Sequence, residues 1–362
     1  MQDRLAALRD RLRADKLDAI VVTHPSNRFY LTGYTGEDIP PNESAGHVVI
    51  GPQQAVITAS TTNSEQARQQ AVGFTVFDEL RELARADAIV LEEMGARRVG
   101  FEDAAILYRD YVTLHDALGS DVELVGVGGL VDELRAVKTP DELETLARAI
   151  EITDQAFTRV AAEIKAGDTE RDIAGRLEAT MRELGADGAA FPTIVASGPN
   201  AALPHHHPGT RAIRPGEPIV IDMGALYQGY CADLTRTVWV GEPNATLRTI
   251  YPVVLQALEA AEAGLRAGIT GKAGDALARD VIARAGYGED FGHSLGHGVG
   301  VRVHEGPNLS SRNEAPLPAG SVVTIEPGIY LPGEGGVRIE DVGVLDADGI
   351  RILTRAPKAH ID

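Results

Sequence analysis

Cysteine is almost absent from this 362-residue sequence: Cys231 stands alone, so no internal disulfide can form. A lone thiol agrees with a reducing compartment, and Cys231 reads as a small buried apolar residue. Basic residues are also short, 34 Lys and Arg against 53 Asp and Glu, for a net charge of −19. Such a surface repels phosphate backbones and anionic lipid headgroups, which excludes nucleic acid and membrane surfaces as expected partners. No run reaches the roughly 18 apolar residues of a membrane span, and the start, MQDRLAALRDRLRADK, lacks a signal-peptide hydrophobic region. A cytoplasmic protein is expected. What is present is ordinary for a folded chain: 44% hydrophobic and 24% charged residues, over a length that suggests two domains.

The first 130 or so residues alternate helical and strand patterns. Leu5, Leu8 and Leu12 recur at helical spacing before the apolar run Ala19-Ile20-Val21-Val22. Further strands are expected at His47 to Ile50, Ala55 to Thr58, Phe74 to Phe77 and Arg98 to Phe101, with a polar helix at Thr61 to Ala71. This reads as a small α/β domain, 1–130. Asp132 to Glu163 reads as long helix, with Thr139 and Pro140 forming an N-cap and first-turn signal inside it. From there the second domain, 131–362, carries a weak internal repeat at an offset of 101 residues, Gly167, Thr169 and Gly185 recurring as Gly268, Thr270 and Gly286. Each copy reads as a helix closed by glycine and followed by a hairpin, Ile219 to Val238 and Val322 to Leu345.

The hairpins hold the chemistry. In IVIDMGALYQGYCADLT, Asp222 and Asp233 are equidistant from Tyr227-Gln228 and are expected to be direct cross-strand neighbours, with Cβ atoms about 5 Å apart. In VVTIEPGIYLPGEGGVRIEDVGV, Glu326 and Glu340 repeat the arrangement. One such carboxylate could face solvent, paired with Arg236 or Arg338. Four at matching positions inside β-branched apolar strands would repel at a cost of several kcal/mol unless neutralised by a cation. Bridging carboxylates in this number suit two ions about 3.5 to 4 Å apart. FGHSLGHGVGVRVHEGP offers a fifth ligand among His293, His297 and His304. An oxygen-rich set with one imidazole suits manganese, iron, cobalt or zinc better than magnesium. Of the run His205-His206-His207, one is expected to face the site and the others solvent.

The motifs SGPNAALPH, DMGALYQGYCADLTRT, GHSLGHGVGVRVHE, TIEPGIY and GVRIED, in this order, resemble the pita-bread metallopeptidases, which include aminopeptidase P, prolidase and methionine aminopeptidase. HPSNRFYLTGYTG resembles the creatinase-like domain that precedes the proline-specific branch, so the resemblance spans the chain. It implies an α+β fold: a pita-bread catalytic domain with a pseudo-twofold helix-plus-hairpin repeat, behind a smaller α/β creatinase-like domain. It also implies that Asp233 and Glu340 bridge two metals, that Asp222 binds one of them, and that His297 with Glu326 binds the other. His205, His293 and His304 would line the substrate site, supported by Arg338. Two divalent ions, manganese expected and zinc, cobalt or iron as alternatives, would lower the pKa of a water and polarise the scissile carbonyl. Glu326 would carry the proton, while His304 and His205 would stabilise the developing oxyanion.

The expected function is hydrolysis of the bond between an N-terminal residue and a following proline, in a dipeptide (prolidase) or, alternatively, in longer peptides (aminopeptidase P). Compact length favours prolidase. Many prolidases, however, carry an arginine four residues after the histidine matching His304, and this sequence has Asn308. Arg302, Arg312 or a loop from the partner in the family's usual homodimer would replace it, and GEDIPPNES (Gly36 to Ser44) is a candidate loop. A non-catalytic peptide-binding module is the competing class, and the complete ligand set argues against it.

Overall fold

In the computed structural model, residues 2–40 and 42–361 are described, and the chain divides after Arg135 into two compact units. The first is built on a six-stranded mixed sheet in the order Thr75–Phe77, Ala55–Thr58, His47–Ile50, Ala19–Val22, Arg98–Phe101, Glu123–Gly126. Ala19–Val22 is buried along its whole length, as a central strand covered on both faces must be. It runs antiparallel to His47–Ile50 and parallel to Arg98–Phe101. Helices Leu83–Met94 and Tyr108–Leu118 place Leu91 and Leu114 against Val21, Val49 and Val99. The expected helix at Thr61 to Ala71 is shorter, Ser64–Gln70, and the strand Glu123–Gly126 lacks the apolar alternation that would have marked it. In the Gly36 to Ser44 loop, Arg28 donates to the Gly36 carbonyl at 2.6 Å and to Asp38 Oδ1 at 2.8 Å; Pro41 lies outside the described residues.

The long helix expected over Asp132 to Glu163 is two helices, Leu130–Ala136 and Pro140–Ala161. The break falls where Thr139 forms a capping box with Glu142 and Pro140 opens the new helix: the cap signal outweighs the continuous periodicity. Two helix pairs then repeat, Pro140–Ala161 with Glu170–Glu183 and Ala245–Gly264 with Gly271–Arg284. Thr169 and Thr270 cap the second helix of each pair through their side chains. Gly167, Gly185, Gly268 and Gly286 have φ of 94°, 102°, 85° and 93°, a left-handed conformation that admits glycine at no steric cost. The repeat is therefore one of geometry.

Behind each helix pair lies antiparallel sheet, with Ile219–Met223 between Leu234–Val238 and Ile194–Ser197, and Val322–Ile325 paired with Asp341–Leu345. The core follows the repeat: Phe157, Leu177 and Met181 pack on Ile219 and Ile221 in one half, and Tyr251, Leu258 and Ile282 pack with Val323 and Ile325 in the other. No helix among the described residues is long and apolar enough to cross a membrane. Cys231 is buried.

Candidate metal centre

The hairpin registers decide which acids meet. In the second hairpin Ile325 pairs with Asp341 on one side and Gly328 with Arg338 on the other, so counting inward sets Glu326 opposite Glu340 as expected. The first hairpin differs. Its two-residue turn is Gln228-Gly229, with φ of 47° and 79°, and Tyr227 pairs with Tyr230. Asp222 accordingly faces Thr235, and the expectation that it directly faces Asp233 is corrected. Two consecutive left-handed residues make the tight turn that matches strand twist, which moves the centre by one residue. The shift preserves the face, because side chains alternate with period two, so the two aspartates become diagonal neighbours.

Asp222, Asp233, His293, His297, His304, Glu326, Arg338 and Glu340 line one cavity of about 690 Å³, together with His205, His206 and His207. Ligand atoms of Asp233, His297 and Glu340 all lie within 4.8 Å of one another. His297 Nδ1 donates to the Gly298 carbonyl at 3.1 Å, which turns Nε2 toward Glu326 Oε1 at 3.1 Å and Asp233 Oδ2 at 3.7 Å. Asp222 Oδ2 accepts from Arg338 Nη2 at 2.6 Å, and Glu340 Oε2 accepts from Thr235 Oγ1 at 2.8 Å. The remaining oxygens, Asp222 Oδ1 and Glu340 Oε1, are buried without a hydrogen-bond partner.

His293 is occupied differently. Its Nδ1 donates to the Ser294 carbonyl and its Nε2 accepts from the Tyr330 hydroxyl, each at 2.8 Å; that hydroxyl in turn accepts from Arg338 Nη1 at 2.9 Å. With both nitrogens engaged, His293 is unavailable as a ligand, and this separates it from His297 physically. His205 and His304 are exposed at the cavity rim, and the His304 ring meets the His297 ring edge-on at 4.3 Å. His206 is not solvated as expected: its Nε2 is 2.9 Å from Oε2 of Glu170, a carboxylate with no exposed surface. Asn308 reaches the cavity wall.

The electrostatics record crowding. Burial, then Glu340 and Asp222, push the Asp233 carboxyl well above its usual range, and burial, then Glu326 and Asp222, do the same to Glu340. Burial also raises Asp222, against the opposing pull of Arg338. Burial would lift Glu326 too, but its hydrogen bond and charge pairing with His297 win and leave it at about 2. His297 shows the reverse balance: burial lowers it, and Glu326 brings it up to about 9. Burial lowers His293, and at the rim partial burial and the neighbouring His297 charge lower His304.

Four carboxylates and one imidazole around two unpartnered buried oxygens fit divalent cations, which would discharge the repulsion that protonation otherwise relieves. Sequence reasoning missed Tyr330, Thr235 and Glu170. The first two sit inside the quoted motifs, and Glu170 occupies the first helical position after the Thr169 cap, where an acidic residue ordinarily reads as a dipole partner.

Comparison with known proteins agrees with this geometry. Residues 144–347 match Metallopeptidase family M24, and residues 4–137 match the Creatinase/Prolidase N-terminal domain. The chain belongs to metallopeptidase family M24: it is a metal-dependent hydrolase with a pita-bread catalytic domain behind a creatinase-like domain. It is 42% identical over 358 residues to uncharacterized peptidase YqhT of Bacillus subtilis, with 99% of each chain covered. Among solved structures, an Xaa-Pro dipeptidase from Bacillus anthracis superposes with a TM-score of 0.92 at 39% identity, covering 99% of both chains. An X-Pro aminopeptidase from Thermotoga maritima MSB8 gives 0.90 at 37%, covering 98% of both.

Proposed function

We propose that this protein is an Xaa-Pro dipeptidase whose two divalent metal ions, manganese by preference, are held by Asp222, Asp233, His297, Glu326 and Glu340. The observation that carries the reading is the convergence of these five donors in one cavity, with Asp222 Oδ1 and Glu340 Oε1 buried and unpartnered. When bound, the ions supply Lewis acidity toward the scissile carbonyl and make a water acidic enough to attack near neutral pH. Glu326 is the residue that would accept a proton from the attacking water and return it to the leaving prolyl nitrogen. His304 and His205, at the rim, donate hydrogen bonds to the developing oxyanion and the substrate backbone, stabilising charge that exists only in the transition state. Arg338 fixes Asp222 and, through Tyr330, the His293 ring that forms the neighbouring wall.

The proposal extends to a cytoplasmic homodimer. A second reading, an Xaa-Pro aminopeptidase acting on longer peptides, is favoured by Asn308, which stands in the cavity wall where a dipeptidase would place a cation for the free carboxylate. Turnover of Leu-Pro against a tripeptide and a pentapeptide with proline second separates the two. Cleavage of the longer peptides alone sinks the dipeptidase. Fewer than one transition metal per chain after manganese loading, with no Xaa-Pro hydrolysis, sinks both.

A further inference from the structure

Glu340 is gripped from two sides. On the cavity side, Thr235 holds its carboxylate, and the Glu340 backbone N–H donates to the Thr235 carbonyl at 3.0 Å. The next residue along the strand, Arg236, points to the opposite face, as alternation requires. Its guanidinium is 1% exposed, and Nη1 donates to the Glu340 carbonyl as well as to the Thr235 carbonyl at 3.0 Å. Nη2 binds Asp341 Oδ1 at 2.7 Å and the Ala356 carbonyl at 2.8 Å, and Nε reaches that same carbonyl at 3.3 Å. One buried cation therefore ties the backbone of the expected bridging ligand to a segment fifteen or so residues further on.

That segment, 353–359, has no regular secondary structure, yet hydrogen bonds and ion pairs to other elements hold it at nearly every step. Leu353 N donates to the Val342 carbonyl at 2.8 Å, and Thr354 Oγ1 accepts from Val342 N at 2.9 Å. Asp154, on helix Pro140–Ala161 and 8% exposed, accepts from the backbone N–H groups of Arg355 at 2.7 Å and Ala356 at 3.0 Å. Lys358 Nζ pairs with Asp341 Oδ2 at 2.5 Å and Glu262 Oε1 at 3.6 Å, and Tyr251 donates its hydroxyl to the Ala359 carbonyl at 2.8 Å. Arg236 and Lys358 both pair with Asp341, and the chain of bonds ends on Glu340. A strap needed only to cover apolar core would not require a buried arginine whose donors converge on a ligand's carbonyl.

We infer that the segment 353–359 is a positioning device for the metal centre: anchored by Asp154 and Lys358, it fixes Arg236, and Arg236 fixes the backbone of Glu340. The inference rests on the metal reading proposed above. Groups that orient a ligand from behind ordinarily change metal affinity by about 10- to 100-fold when removed.

The test is a titration of chelator-stripped full-length protein with Mn2+ by calorimetry, on wild type, Arg236→Lys, Asp154→Asn and Lys358→Met. Lysine retains the charge but cannot span the Glu340 carbonyl, Asp341 and Ala356 together. About tenfold weaker Mn2+ binding is expected for Arg236→Lys, with smaller losses in the same direction for the two strap variants, which touch no ligand. Steady-state kinetics at fixed Mn2+ should show kcat falling with KM unchanged, because Glu340 is displaced and the histidine rim is not. Circular dichroism identifies any variant that fails to fold, in which case the other two decide. Mn2+ affinity within twofold of wild type in every folded variant overturns the inference. A wild-type protein that binds no Mn2+ overturns the metal reading itself, and this inference with it.

Discussion

Glu326 and His297 polarise one another, one carboxyl held down to about 2 and one imidazole lifted to about 9. Glu326→Gln keeps the shape of the side chain and removes its capacity to carry a proton. Hydrolysis should fall by at least about 10²-fold, the usual scale of general acid–base catalysis, with an unchanged circular dichroism spectrum. Activity near wild type would show that the proton travels elsewhere. The other carboxyls predict a pH dependence for chelator-treated protein. Because Asp233 and Glu340 hold their protons above the usual carboxyl range when folded, the folded state retains protons that the unfolded chain releases. Stability should therefore fall as pH rises from about 5 to 8. His297 acts in the same direction, since its contribution is lost as pH climbs through about 9; Glu326, at about 2, opposes it only at the acid edge of the window, where the unfolded glutamate is still titrating. Melting temperatures in EDTA should drop across that window, and less steeply in Glu340→Gln. A flat profile would mean that the acids are not crowded in solution.

At the scale of elements, the loop of residues 197–209 depends on a single buried anion. Glu170 Oε1 accepts from Ser197 N, Ser197 Oγ and Asn200 Nδ2 at 2.8, 2.7 and 2.9 Å, and Oε2 from Gly209 N at 3.1 Å, with His206 on the same oxygen. These bonds outweigh burial and hold the Glu170 carboxyl below its usual range. Glu170→Gln replaces an acceptor by a donor facing several N–H groups, which should loosen the loop that presents His205. KM for Xaa-Pro substrates should rise severalfold while Mn2+ affinity stays put; a parallel loss of metal would show that the loop supports the ligands instead. Backbone crowding sets a second constraint. A Cβ at Gly298 would overlap the Gly306 carbonyl, so the strand bearing His297 can approach its neighbour only through glycine. The glycine density around His297 was legible in the sequence. That it serves strand contact at Gly298 was not, because the partner carbonyl lies across a fold-dependent pairing.

For the whole molecule, the proposed metal reading predicts that cation binding couples to folding, because the five candidate ligands converge only in the folded catalytic unit. At free metal about 100-fold above Kd, loading adds about 2.7 kcal/mol per site, or roughly 5–10 °C in the melting transition of a unit of this size. Calorimetry of stripped and Mn2+-loaded protein checks this, and coincident transitions would remove metal from the folding balance. The sequence by itself determined the candidate ligand types and their hairpin setting, because carboxylates inside apolar strands carry a large desolvation cost that few arrangements relieve. It also determined the repeat, through residues whose backbone angles or capping chemistry are nearly obligatory. Only the tertiary structure decided that Asp222 faces Thr235, that His293 is spent on Tyr330 and Ser294, and that Arg236 and the segment 353–359 stand behind Glu340. Those facts depend on one-residue register and on contacts between residues a hundred positions apart, which local propensity does not encode.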